Sequence, residues 1–212
     1  MNFLTTIVLA TLSSAATTPL CNQPGQLCPI EGAKYLGDWY EIGATQIIRN
    51  TFERDCDCVL ANYVLKNATE IAVTNSCINP KTKEPSTIVG TAKILSSSQL
   101  KVSFGDNSVG GQIGLFFQNL SKDPNYVVSN VWVDEKGNYQ RALVTSPLRK
   151  GVPAFIQKPL EFTWILSRTP SITQAEIDET LAYAVASGYH PKDAGFRLTD
   201  QVTCRKFKLL LD

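Results

Sequence analysis

The stretch Gln99-Leu100-Lys101-Val102-Ser103-Phe104 decides the fold class. Leu100, Val102 and Phe104 point one way and Lys101 and Ser103 the other, the period-two signature of a strand with one buried face. The same alternation continues on both sides. Val59, Ala61, Tyr63 and Leu65 share a face, as do Ile71, Val73 and Asn75. Candidate strands fall at 38–43, 58–66, 70–77, 87–95, 99–104, 126–134, 139–145 and 161–168. Eight antiparallel strands in succession predict an all-β chain folded as an up-and-down barrel, because closure removes the unpaired sheet edges.

The connections between these strands alternate in length. Those at Asn67-Ala68, at Ser96-Ser97-Ser98 and at Glu135-Lys136-Gly137-Asn138 are hairpin-sized, whereas 44–57, 78–86, 105–125 and 146–160 are long. In a meander, alternate connections lie at opposite ends, so the short turns make a floor and the long loops a rim. A barrel of eight strands is wide enough to hold one small ligand, and the expected shape is a calyx. One C-terminal α-helix follows the last strand. Thr173-x-x-Glu176 reads as its capping box, and Ile177, Leu181 and Ala184/Val185 form the stripe that packs it on the outside of the barrel. Gly188 and Pro191 end it. His190, in the turn that follows, is expected in solvent.

Composition narrows the function classes. Of 212 residues, 43% are hydrophobic and 18% charged, and the net charge is +1. Such a chain buries a core, and nothing in its charge attracts nucleic acid or an anionic membrane surface. One histidine excludes a multi-histidine metal site. No charged residue precedes Glu31, Phe3 to Leu12 is apolar apart from threonines, and Ser14-Ala15-Ala16 fits a small-x-small cleavage site. Residues 1–16 therefore read as a secretory signal peptide and 17–212 as a single secreted domain. A lipid anchor at Cys21 is the alternative, weakened by the bulky Leu20 before it. Six cysteines, at 21, 28, 56, 58, 77 and 204, suit three disulfides with fifteen possible connectivities. Cys56-x-Cys58 lacks zinc-knuckle spacing, so neither metal nor cofactor is expected. Asn67-Ala68-Thr69 and Asn119-Leu120-Ser121 are glycosylation acceptors.

Four segments carry a family resemblance. Lys34-Tyr35-Leu36-Gly37-Asp38-Trp39-Tyr40-Glu41-Ile42 resembles the G-x-W-Y motif of the lipocalins. Phe162-Thr163-Trp164-Ile165-Leu166-Ser167-Arg168-Thr169-Pro170 resembles their third motif, particularly in the bacterial outer-membrane and apolipoprotein D branches. Thr199-Asp200-Gln201-Val202-Thr203-Cys204 and Cys58-Val59-Leu60-Ala61-Asn62-Tyr63 are similar to the T-D-Q-V-x-C and C-x-x-A-N-Y segments of the apolipoprotein D branch. The second motif departs, reading Val133-Asp134-Glu135-Lys136-Gly137-Asn138-Tyr139 where T-D-x-x-x-Y is usual. The resemblance implies that Gly37, Trp39, Asp134 and Arg168 are floor residues that hold the fold, with Arg168 over the Trp39 ring. It also implies a Cys58–Cys204 bridge. Cys28 then lacks the partner that branch provides in strand seven, and Cys56–Cys77 with Cys21–Cys28 is one compatible completion.

By the same resemblance Tyr63, Asn75 and Trp164 are ligand contacts, and Phe104 joins them by its inward face alone. The implied function is binding and transport of a small hydrophobic ligand: a fatty acid, lysophospholipid, steroid, retinoid or pigment. The chain is not expected to be an enzyme. Two alternatives are a scaffold enzyme using a thiol such as Cys56 or Cys77, and a protein-interaction module using the rim loops. Connection 105–125, with Ile113, Leu115, Phe116, Phe117 and Leu120, is the candidate for a peripheral membrane or protein contact.

Overall fold

The computed structural model describes residues 16–51, 53–104, 124–147, 153, 155, 158–202 and 204. Eight antiparallel strands form a barrel: β1 (Gly37–Ala44), β2 (Asp57–Asn67), β3 (Glu70–Ile78), β4 (Pro85–Ile94), β5 (Gln99–Phe104), β6 (Tyr126–Val133), β7 (Tyr139–Thr145) and β8 (Thr163–Ser167). Each pairs with its successor. β8 returns to pair with β1, and the sheet is closed. β2 reaches only the first half of β1, Gly37 to Tyr40. The short segment Arg197–Leu198 pairs beside the second half, at Gly43 and Ala44.

Alternation along each strand sorts the side chains as expected. Val59, Ala61, Tyr63, Ile71 and Val73 are buried inside the barrel. Leu65 is the exception on its face. It is exposed at the end of the β2–β3 hairpin, where the ladder shifts register between Leu65 and Asn67.

Helix α1 (Gly32–Tyr35) lies just before β1, α2 (Gln46–Asn50) sits in the first rim loop, and α3 (Gln174–Ala186) lies outside the barrel. The capping box of α3 is complete: Thr173 Oγ1 accepts from the Glu176 amide at 3.2 Å, and Glu176 Oε2 accepts from the Thr173 amide at 2.8 Å. Ile177 and Leu181 pack against Ile42 and Ile165, on the outer face of β1 and β8. Ala184 continues the contact against Trp132 and Leu143, which leaves Val185 exposed. Gly188 takes φ +90° at the helix end, a conformation that costs a residue without Cβ little.

His190 departs from expectation. Its amide donates to Glu161 Oε2 at 2.6 Å, and its Nδ1 lies 3.1 Å from Glu161 Oε1. The Glu161 carboxylate is buried, so the turn after the helix is tied to the start of β8 rather than left in solvent. The cysteines pair as Cys21–Cys28, Cys56–Cys77 and Cys58–Cys204. Residues 1–15, residues 105–123 and the Asn119 acceptor site lie outside the described residues. Among the described residues, no helix is long and apolar enough to cross a membrane.

Candidate functional site

The floor of the barrel is built around one tryptophan. Trp39, on the inward face of β1, is fully buried, and its indole N–H donates to the Tyr35 carbonyl at 2.7 Å. The Arg168 guanidinium, at the end of β8, lies 3.8 Å above the Trp39 ring, a cation–π contact. Its nitrogens also donate to the carbonyls of Asp38 (2.6 Å), Lys34 (2.8 Å) and Leu36 (2.9 Å). Gly37 has φ +90°, and a Cβ there would meet Arg168 NH1 at 3.6 Å. The left-handed backbone, more than the lack of space, therefore requires glycine.

Asp134 shapes the neighbouring β6–β7 turn. Its Oδ1 accepts from the amides of Lys136 (2.9 Å) and Asn138 (2.8 Å), and its Oδ2 accepts from the side chains of Asn138 and Gln140. The Asn138 amides and these other donors hold its carboxylate below the usual aspartate range.

Above the floor lies a cavity. Its volume is about 140 Å³. The wall is mainly apolar, with Val59, Ala61, Val73, Val102 and Leu166 among its members. Tyr63, Asn75, Phe104 and Trp164 all line it, drawn from β2, β3, β5 and β8.

At its lower end three phenols meet. Tyr126 OH is 2.8 Å from Tyr35 OH and 3.0 Å from Tyr63 OH. Burial, with smaller contributions from neighbouring groups, pushes all three hydroxyls up, Tyr63 to about 12. They therefore remain neutral at physiological pH, and two hydrogen bonds through Tyr126 link the three.

The upper end carries charge. Glu41, on the inward face of β1, is buried and accepts from Arg49 NH2 at 2.7 Å and from the Thr199 hydroxyl. Arg49 comes from α2, and its NH1 donates to the Cys56 carbonyl at 2.8 Å. Glu53 follows in the same loop, with Oε2 3.7 Å from Arg49 NH1, an ion-pair distance but not a hydrogen bond. Burial first, and then Glu41, pushes the Glu53 carboxyl well above the usual range, while Arg49 and Trp164 pull it the other way.

Two clamps hold this loop. The Cys56–Cys77 disulfide joins it to β3. The tail segment Thr199–Gln201 crosses behind it, with Gln201 Nε2 donating to the carbonyls of Glu41 and Val59, both at 2.8 Å. The Cys58 amide donates to the Asp200 carbonyl at 2.9 Å, and the Cys58–Cys204 bridge fastens the tail to β2.

A closed eight-stranded barrel with a helix outside, a cavity within and an arginine over a floor tryptophan is consistent with one family, and sequence comparison decides it. The family model for the lipocalin-like domain matches residues 30–197. The chain is a lipocalin. It is 29% identical over 191 residues to the outer membrane lipoprotein Blc of Citrobacter freundii, spanning 86% of this lipocalin and 90% of that protein. The Blc protein of Escherichia coli K12 is 30% identical over 162 residues, spanning 75% of this chain and 73% of the relative. Among solved structures, the cockroach major allergen Per a 4 matches with TM-score 0.55 at 17% identity, over 88% of this chain and 98% of that one. Apocrustacyanin C2 matches with TM-score 0.54 at 16% identity, over 81% and 79%. At these identities the structural matches show the fold alone.

In this lipocalin the residues singled out by sequence divide into two groups. Gly37, Trp39 and Arg168 lie together at the floor, Asp134 sits in the adjoining β6–β7 turn and reaches Arg168 only through Gln140, and Tyr63, Asn75, Phe104 and Trp164 converge on the cavity. Asn67 is exposed at the β2–β3 turn, where its Oδ1 accepts from the Thr69 amide at 2.9 Å. The group that sequence reasoning missed is the charged one: Glu41, Arg49 and Glu53, with Tyr126 below. Glu41 was within reach, since it stands two residues after Trp39 on the same inward face. Arg49 and Glu53 carry no such signal, because a five-residue helix inside a long loop has no periodicity to read.

Proposed function

We propose that this lipocalin is a secreted carrier that binds one small hydrophobic ligand inside its barrel. The observation that carries the reading is the cavity itself: a largely apolar space onto which Tyr63, Asn75, Phe104 and Trp164 converge, above a floor sealed by Trp39 and Arg168. Affinity comes from burying apolar ligand surface, worth about 25 cal/mol per Å² before the entropic cost of association. The few polar groups at the wall orient the ligand. Apocrustacyanin and Blc share the scaffold.

Secretion is supported by the cysteines. Three disulfides suit an oxidising compartment. The Blc relatives are named outer membrane lipoproteins, but the thiol of Cys21 here is joined to Cys28 and is not free to carry a lipid. All six cysteines are paired, so a cysteine-based enzyme on this scaffold would have no thiol to use.

The test is organic extraction of protein purified without delipidation, followed by mass spectrometry and by titration of Trp164 fluorescence. A co-purifying hydrophobic molecule whose re-addition changes the fluorescence is the expected result. No extracted molecule, together with unchanged fluorescence across fatty acids, sterols and retinoids, would sink the proposal.

A further inference from the structure

The polar groups of the cavity are unequal. Most are already used. Asn125 both donates to the Val102 carbonyl and accepts from the Val102 amide, each at 2.8 Å, so its amide is committed to the backbone. The three phenols bond to one another. Among the described residues, two buried atoms of the cavity have no hydrogen-bond partner, Asn75 Oδ1 on the β3 wall and Glu53 Oε2 at the mouth, the latter 3.7 Å from Arg49. Both are acceptors. They belong to different elements, and both side chains line the same space.

Leaving a buried acceptor without a donor is costly, and a native fold carries few of them. In a ligand-sized cavity Asn75 Oδ1 describes the missing partner by its chemistry: it must donate, and Glu53 asks the same wherever it is ionised. The electrostatics point the same way. Among the described residues that line the cavity, the ionisable acids are Glu41 and Glu53, and no lysine or arginine is among them. The nearby cation, Arg49, is spent on Glu41 and the Cys56 carbonyl. A carboxylate head placed against Asn75 Oδ1 and Glu53 would meet acceptors, and among the described lining residues no lysine or arginine stands by to neutralise it.

Building on the carrier reading above, we infer that the cavity selects amphiphiles whose polar end donates hydrogen bonds, an alcohol or a protonated amine, and discriminates against carboxylates. Asn75 Oδ1 and Glu53 accept from that end, while the apolar wall takes the hydrocarbon. This separates retinol-like and sterol-like ligands from fatty acids and retinoic acid.

The experiment is calorimetric titration of the intact protein at neutral pH with three probes that share one chain: decan-1-ol, decylamine and decanoate. The alcohol or the amine should bind about ten-fold or more tighter than decanoate, the effect of satisfying one buried acceptor. A tighter amine assigns the contact to ionised Glu53, and a tighter alcohol to the neutral acceptors. Asn75→Leu should remove most of the preference, and Glu53→Gln should weaken the amine more than the alcohol. Decanoate binding as tightly as the other two would overturn this inference and leave the carrier intact. Failure of all three probes, with retinol and cholesterol also silent, would overturn the carrier and this inference with it.

Discussion

Two arginines stand at opposite ends of the barrel, and they are used differently. At the floor, Arg168 donates to three backbone carbonyls and covers the Trp39 ring, so its hydrogen-bond donors are answered by groups that cannot titrate. At the mouth, Arg49 lies among two carboxylates, bonds to Glu41, and leaves Glu53 at 3.7 Å with an acceptor unfilled. One end is a finished joint. The other leaves buried acceptors unfilled among the described residues, and under the proposed function the contrast separates residues that make the barrel from those that would meet a ligand.

The same chemical change at the two ends should show this difference most strongly. Trp39 is fully buried beneath Arg168, whereas Trp164 is half-buried beside the cavity. Trp39→Ala should cost about 3–5 kcal/mol, the range for deleting a large aromatic from a packed core. Trp164→Ala should cost less than half of that, because part of its surface already faces space rather than protein. Urea denaturation of both variants measures the two values. Equal losses would mean that the mouth is as tightly built as the floor.

Legibility in the sequence follows the same division. The strands could be read because period two needs only neighbours: Leu100, Val102 and Phe104 declare their face without help from distant residues. The floor could be read from resemblance, since Gly37, Trp39 and Arg168 sit inside short motifs. The mouth could not. Glu41 meets Thr199 across 158 positions, and Gln201 reaches Val59 across 142. Those contacts depend on where the tail crosses β1 and β2, which no local pattern encodes. His190 illustrates the same limit. Its partner, Glu161, is 29 residues earlier and was read only as the edge of a strand.

A second contrast concerns the two ends' carboxyl groups, whose shifts have opposite signs. Glu53 is raised by burial and by Glu41. The folded state therefore binds its proton more tightly than the unfolded chain does. The resulting stabilisation is complete below the ordinary glutamate value and is lost as pH rises towards the folded one. The wild type should thus lose stability relative to Glu53→Gln as pH climbs above about 4.3, by up to about 1.4 kcal/mol per pH unit across that window. Paired denaturation curves between pH 4 and pH 8 measure the difference. A constant gap would mean that Glu53 has the same proton affinity in the folded and unfolded chain, with Arg49 offsetting the effect of burial in full.

Asp134 gives the mirror-image prediction, and the smallest. Its oxygens accept from the Asn138 amides, the Lys136 amide and the Gln140 side chain, which lowers its pKa. The contribution is therefore present above the ordinary aspartate value and disappears as pH falls through the folded one. Asp134→Asn should lose most of this pH dependence, since an amide oxygen still accepts but carries no charge. The turn is exposed to solvent, so the effect should amount to a small shift in the acid limb of the stability profile and leave the neutral plateau nearly unchanged. Because no residue of that turn lines the cavity, ligand affinity should not follow that shift. If Asp134→Asn altered binding of decan-1-ol as well as the acid limb, the two ends would be coupled through the strands, and treating the floor as mere support would be wrong.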